Sequence, residues 1–109
     1  MTTPKRSIIY QTFEGREPFT QYVDSLKDRR AIDKIRKRVR QATYGNLGDH
    51  RSVHRGVIEL RINFGPGYRV YMGLYGQEVI VLLCAGDKST QHKDIQKAHD
   101  YWDDYRGNL

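Results

Sequence analysis

The side chains in this sequence best suited to chemistry are Arg61, Arg69 and Tyr71, followed a short distance on by Lys88, Gln91 and His92. Arginine and lysine offer fixed positive charge to a phosphate, and the guanidinium adds a bidentate fork. A guanidinium also stabilises the charge that accumulates on a phosphoryl group while RNA is being cut. His92 exchanges a proton near neutrality, Tyr71 can stack on a base or donate to a phosphate, and Gln91 adds an amide at the same corner. Attack by an RNA 2′-hydroxyl on its own neighbouring phosphate requires no metal ion. His50, His54 and His99 are scattered with no cysteine beside them, which argues against a zinc site. There is no Walker sequence, dinucleotide fingerprint or paired-cysteine motif, so no cofactor is expected.

These residues belong to one run, Gly56–Ile95, whose pattern says how they are held. Ile58, Leu60, Ile62 and Phe64 alternate with Val57, Glu59, Arg61 and Asn63, as on a strand with one buried face. A turn at Gly65-Pro66-Gly67 leads to Tyr68, Val70, Met72 and Leu74 on the buried side, with Arg69, Tyr71 and Gly73 opposite. A tight hairpin would set Asn63 across from Arg69 and Arg61 across from Tyr71, on an open face. After a turn over Tyr75–Glu78, the nearly unbroken apolar run Val79–Ala85 predicts a central strand covered on much of both faces. Gly86 then releases the chain toward Lys88 and His92. Ser89 or Thr90 is placed to cap a final helix carrying Ile95, Ala98, Trp102 and Tyr105 at helical spacing, while Asp87 is read as a cap or a partner of Lys88.

Upstream, Arg6–Gln11 reads as a short strand. Phe19, Tyr22, Val23 and Leu26 recur at helical spacing behind Pro18, giving a first helix. A second runs from about Arg30 to Thr43, with Ile32, Ile35, Val39 and Ala42 on one stripe and Arg36, Lys37 and Arg40 on the other face. That cationic face can dock on a nucleic-acid backbone, and it can equally cradle an acidic partner helix. Tyr44–Arg51 is a loop by its glycines, and Val53–Arg55 is a candidate extra strand. The order predicts one domain over residues 1–109 of class α+β: an antiparallel sheet of four or five strands, an N-terminal helical hairpin and a C-terminal helix.

Charge narrows the partners. Residues 1–56 carry 13 Lys and Arg against 6 Asp and Glu, whereas residues 57–109 carry 6 against 7. A positive field concentrated in one segment favours nucleic acid, a ribosome-like surface or an acidic protein. The single cysteine, Cys84, excludes an intrachain disulfide and reads as a small buried apolar residue suited to a reducing compartment. No apolar stretch approaches the ~20 residues needed to span a bilayer, and the N-terminus lacks the features of a secretory signal. A cytoplasmic location without membrane partners is the expectation by elimination.

The segments Glu59–Arg61 (ELR), Gly65–Tyr71 (GPGYRVY), Gly86–Gln91 (GDKSTQ) and Asp94–Ile95 (DI), preceded by Tyr44–Asp49 (YGNLGD), resemble the addiction module killer protein branch of the RelE/ParE toxin superfamily, often grouped with HigB-type toxins. The resemblance implies a small RelE-like fold and a toxin held in check by a cognate antitoxin, of helix-turn-helix type, that contacts operator DNA as part of the complex. For RelE- and HigB-like members it implies ribosome-dependent cleavage of messenger RNA. ParE-like members share the fold and poison DNA gyrase, and a non-enzymatic module that only binds its partner is a third possibility. Carried onto this chain, the resemblance makes Arg69 the phosphate-stabilising arginine, Lys88 the second cationic site residue and Arg61 an assisting one. Val57 and Glu59 stand where RelE has lysines. Lys93 and Asp94 stand near the place of its late catalytic tyrosine, which leaves His92 as the residue for proton transfer.

Overall fold

A computed structural model describes residues 3–107. Five strands and three α-helices follow one another as β1 (Arg6–Ile9), α1 (Pro18–Ser25), α2 (Arg29–Thr43), β2 (His50–Ser52), β3 (Val57–Ile62), β4 (Tyr68–Tyr75), β5 (Val79–Gly86) and α3 (Gln91–Gly107). The polar stretch after Leu26 ends α1 and starts α2, because the Asp28 carboxylate accepts the Arg30 amide at 2.9 Å as an N-cap. Before α3, Lys88–Thr90 form a single 3₁₀ turn. Its cap is Asp87, which accepts from the Ser89 amide at 2.8 Å. Asp87 therefore takes the capping role, one of its two readings, while Ser89 and Thr90 lie within the turn.

The sheet has the order β1-β5-β4-β3-β2. Every neighbouring pair is antiparallel except β1 and β5, which run parallel from Arg6↔Val79 to Ile9↔Leu82. The sheet is therefore mixed, not antiparallel. Direction was not encoded in β1: four residues alternate identically whichever way they run. The extra strand expected at Val53–Arg55 lies instead at His50–Ser52. His54 and Arg55 have positive φ, and the Val57 amide bonds back to the His54 carbonyl, so that stretch is a tight turn.

Both faces of the sheet are buried. Leu60, Ile62, Tyr68, Val70, Met72 and Leu82 pack against Phe19 and Val23 of α1 and Ala31, Ile35 and Ala42 of α2. Val57, Tyr71, Val81, Leu83 and Cys84 pack against Ala98 and Trp102 of α3. The face expected to be open is thus the floor of a second core. Each large side chain buried in this way contributes about 1.5–3 kcal/mol. One irregularity lets the apolar run serve both cores: Tyr71 pairs with Cys84 but Met72 pairs with Leu82, leaving Leu83 as an extra residue. Leu74, expected in the core, is 37% exposed.

Arg38 ties the loop after α2 to the sheet. Its guanidinium donates to the carbonyls of Leu47 at 3.1 Å, Asp49 at 2.8 Å and Arg61 at 3.1 Å. We expect Arg38→Met, which keeps the aliphatic stem, to lower stability by about 1–3 kcal/mol, because three carbonyls lose a charged donor. Urea denaturation checks this: the midpoint should fall while the slope stays unchanged.

Candidate nucleic-acid interface

The residues expected to contact phosphate gather where β3 turns into β4 and β5 ends. The turn is longer than the three glycine-proline residues suggest. Phe64 donates to Ile62 and Gly67 donates to Phe64, so Asn63 leaves the strand. The register slides by two, and Arg61 lies opposite Arg69 while Glu59 lies opposite Tyr71. Gly67, at φ +81°, brings the turn against the site, and a Cβ there would stand 2.8 Å from Arg69 Nη1 and 3.6 Å from Lys88 Cβ. Lys88 is held beside this turn by its amide, 3.4 Å from the Pro66 carbonyl. Arg69 and Lys88 are thus brought together from separate elements.

Two like charges directly opposite on neighbouring strands are unfavourable for folding. Here the cost is compounded, since Nε of Arg61 and Nε of Arg69 are both buried with no hydrogen-bond partner. An unmet buried donor costs about 1–3 kcal/mol. Arg69 bonds through Nη1 to the Gly67 carbonyl, and Arg61 lies 3.4 Å from the Asp49 carboxylate, which is itself 62% exposed. An oxyanion held at the accessible part of these two guanidiniums would supply the negative charge that the pair lacks. Arg61 also shares a groove with Lys34, Lys37 and Arg38, so the cationic rim extends onto α2. Arg36 and Arg40 are exposed and border a different groove, floored by Phe19 and Val39.

Tyr71 and Gln91 do not join the rim. Tyr71 is fully buried, correcting its expected place on an open face: α3 covers the row in which it stands. Its hydroxyl donates to Glu59 Oε2 at 2.9 Å, Gln91 Nε2 donates to the same oxygen at 3.0 Å, and Arg51 Nε reaches Oε1 at 2.9 Å. Glu59 is itself fully buried. Burial pushes its carboxyl upward, but the bonds from Gln91, Arg51 and Tyr71 outweigh burial and hold it below the usual carboxylate range. Burial and the Glu59 contact raise the Tyr71 phenol far above its ordinary value. This knot joins β2, β3, β4 and the first turn of α3. Arg51 was missed because it sat in a predicted loop; the available signal was an acid at an otherwise cationic strand position.

His92 is exposed on the first turn of α3, with Nε2 3.5 Å from Gln96 Nε2, and makes no hydrogen bond to Arg61, Arg69 or Lys88. Among the described residues, no three His, Cys, Asp or Glu side chains converge in a way that could hold a metal ion. No helix among them is long and apolar enough to cross a membrane.

A scan against models of known protein families gives no match. The chain is 48% identical over 80 residues to an uncharacterized protein of Haemophilus influenzae, covering 73% of this chain and 81% of that protein. The chain therefore belongs to the same family as this Haemophilus influenzae protein.

Proposed function

We propose that this chain is the toxin of a type II toxin-antitoxin pair, with a RelE-like fold, that cuts messenger RNA on the ribosome. The observation that carries the reading is the opposed Arg61–Arg69 pair with two unmet buried donors, set against Lys88. In this reaction O2′ of one nucleotide attacks the adjacent phosphorus and the P–O5′ bond breaks. The products are a 2′,3′-cyclic phosphate and a 5′-hydroxyl end. Arg69 and Lys88 neutralise the phosphoryl oxygens as charge builds, and Arg61 assists. His92, exposed beside this corner, takes the role of proton carrier. The cations of α2 and the rim supply backbone contacts to ribosome and messenger RNA. The groove between Arg36, Arg40, Phe19 and Val39 suits an acidic amphipathic segment of the antitoxin, through which operator DNA would be reached.

A second reading, a gyrase poison without nuclease activity, draws on one observation: Tyr71 and Gln91 are committed to Glu59, which leaves His92 alone for proton transfer. Expression in growing cells separates the two. Mapped transcript ends should multiply with plasmid supercoiling unchanged. Intact transcripts accompanied by broken DNA would reject the ribonuclease reading in favour of gyrase.

A further inference from the structure

Strand β1 pairs with β5 only as far as Leu82, so among the described residues no strand covers the edge of β5 from Leu83 to Gly86. There α1 and α3 leave a cavity of about 360 Å³ bordered by Tyr22, Cys84, Thr90, Asp94, Lys97 and Tyr101. Asp94 is 8% exposed, and its carboxylate lies directly over Gly86, where an added Cβ would stand 1.8 Å from Oδ2. Oδ2 accepts the Thr90 hydroxyl at 2.6 Å, and no donor among the described residues reaches Oδ1. Burial raises the Asp94 carboxyl above its ordinary value, opposed by the Thr90 bond and the charge of Lys97. An ionised carboxylate offers about four acceptor positions, and this one has most of them unused in a cavity with two tyrosines on its walls.

That arrangement suits a flat ligand with two adjacent N–H donors on one edge. Among the nucleobases this is guanine, through N1–H and N2–H; adenine, cytosine and uracil have no two adjacent donors along the same edge. Gly86 is the register partner of Arg69, so the cavity and the cationic rim meet across one residue pair, with Cα atoms about 5 Å apart. We propose that this cavity is a guanine subsite, in which Asp94 accepts from the base of a nucleotide next to the phosphate held by Arg69 and Lys88. The inference rests on the RNA-cleaving reading for its source of guanine, but the subsite can be tested without ribosomes.

Titrating the intact chain with guanosine, inosine or uridine 5′-monophosphate, followed by backbone NMR, reads both places at once. Guanosine monophosphate should shift Thr90, Asp94 and Tyr101 as well as the rim at Arg69 and Lys88. Uridine monophosphate should shift the rim alone, with the cavity response weaker by about tenfold or more. Inosine monophosphate, lacking the 2-amino group, should respond several-fold more weakly than guanosine monophosphate in unaltered protein. Asp94→Asn should abolish the cavity response and keep that of the rim. Equal cavity responses to all three nucleotides, or a guanosine response that survives Asp94→Asn, would overturn the subsite. A responding rim with a silent cavity would overturn the subsite and leave the phosphate assignment standing; a responding cavity with a silent rim would do the reverse.

Discussion

Replacing Arg69 with alanine is expected to lower transcript cleavage by about 10²- to 10³-fold, the cost of removing one preorganised donor from a charged transition state. The same substitution should leave the fold intact. Arg69 is half-buried, makes one hydrogen bond to the Gly67 carbonyl and faces another guanidinium across the strands. Its removal relieves a like-charge contact and an unmet buried donor, so the denaturation midpoint should stay level or rise. Activity lost without stability is a pairing that a structural role for Arg69 does not produce. Arg69→Lys keeps the charge but loses the fork, and should recover only part of the rate. Arg61→Ala should cost less, since Asp49 already faces that guanidinium. Growth on induction and primer extension of a reporter transcript measure these effects. Undiminished toxicity of Arg69→Ala would sink the assignment.

The largest effect on stability is expected at Glu59. Glu59→Ala leaves the buried Tyr71 hydroxyl without an acceptor, strips Arg51 and Gln91 of their partner and opens a void beneath α3. Arg51 is about half exposed and returns to water, so the loss comes from the unmet buried Tyr71 hydroxyl and the void, together about 2–5 kcal/mol. Glu59→Gln preserves the volume and should cost less, about 1–3 kcal/mol. The two proteins also differ in their response to acid. The folded-state carboxyl of Glu59 lies below its unfolded value near 4.5, so its stabilisation is fully present above that pH and is lost as pH falls through the lower folded value. The stability gap between unaltered protein and Glu59→Gln should therefore be flat above about pH 4.5 and narrow below it. Denaturation midpoints of both proteins from pH 7 down to pH 3 test this. A gap that stayed constant in acid would show that the carboxylate charge contributes nothing.

Much of the fold was legible because alternation and helical spacing are local. The helix expected at Arg30–Thr43 is Arg29–Thr43, and the apolar run Val79–Ala85 is β5 almost to the residue. Alternation also separated Val57, Glu59 and Arg61 from Ile58, Leu60 and Ile62 correctly. It did not reveal what lies against each face. The stripe through Ala98 and Trp102 needed a surface, and it took the one on which Tyr71 and Glu59 stand. Register failed for a similar reason: Asn63 fits a strand by pattern but is drawn into the turn by bonds between Ile62, Phe64 and Gly67. Arg38 was beyond sequence reasoning, because its acceptors lie up to 23 residues away and are backbone carbonyls that any residue carries. The nearness of Arg69 to Lys88 was legible, since a strand end and a hairpin turn at the same end of a sheet must adjoin.

End chemistry on defined components offers the sharpest test. The purified chain is mixed with ribosomes carrying a short messenger RNA, and the fragments are sequenced and treated to reveal their termini. Attack by the 2′-hydroxyl at the Arg69–Lys88 site predicts upstream fragments ending in 2′,3′-cyclic phosphate and downstream fragments starting with a 5′-hydroxyl. These should form only when ribosomes are present, and Arg69→Ala should lower their yield by about 10²- to 10³-fold. Full-length messenger RNA after incubation with a chain that arrests growth in cells would contradict it, as would cuts ending in 3′-hydroxyl and 5′-phosphate.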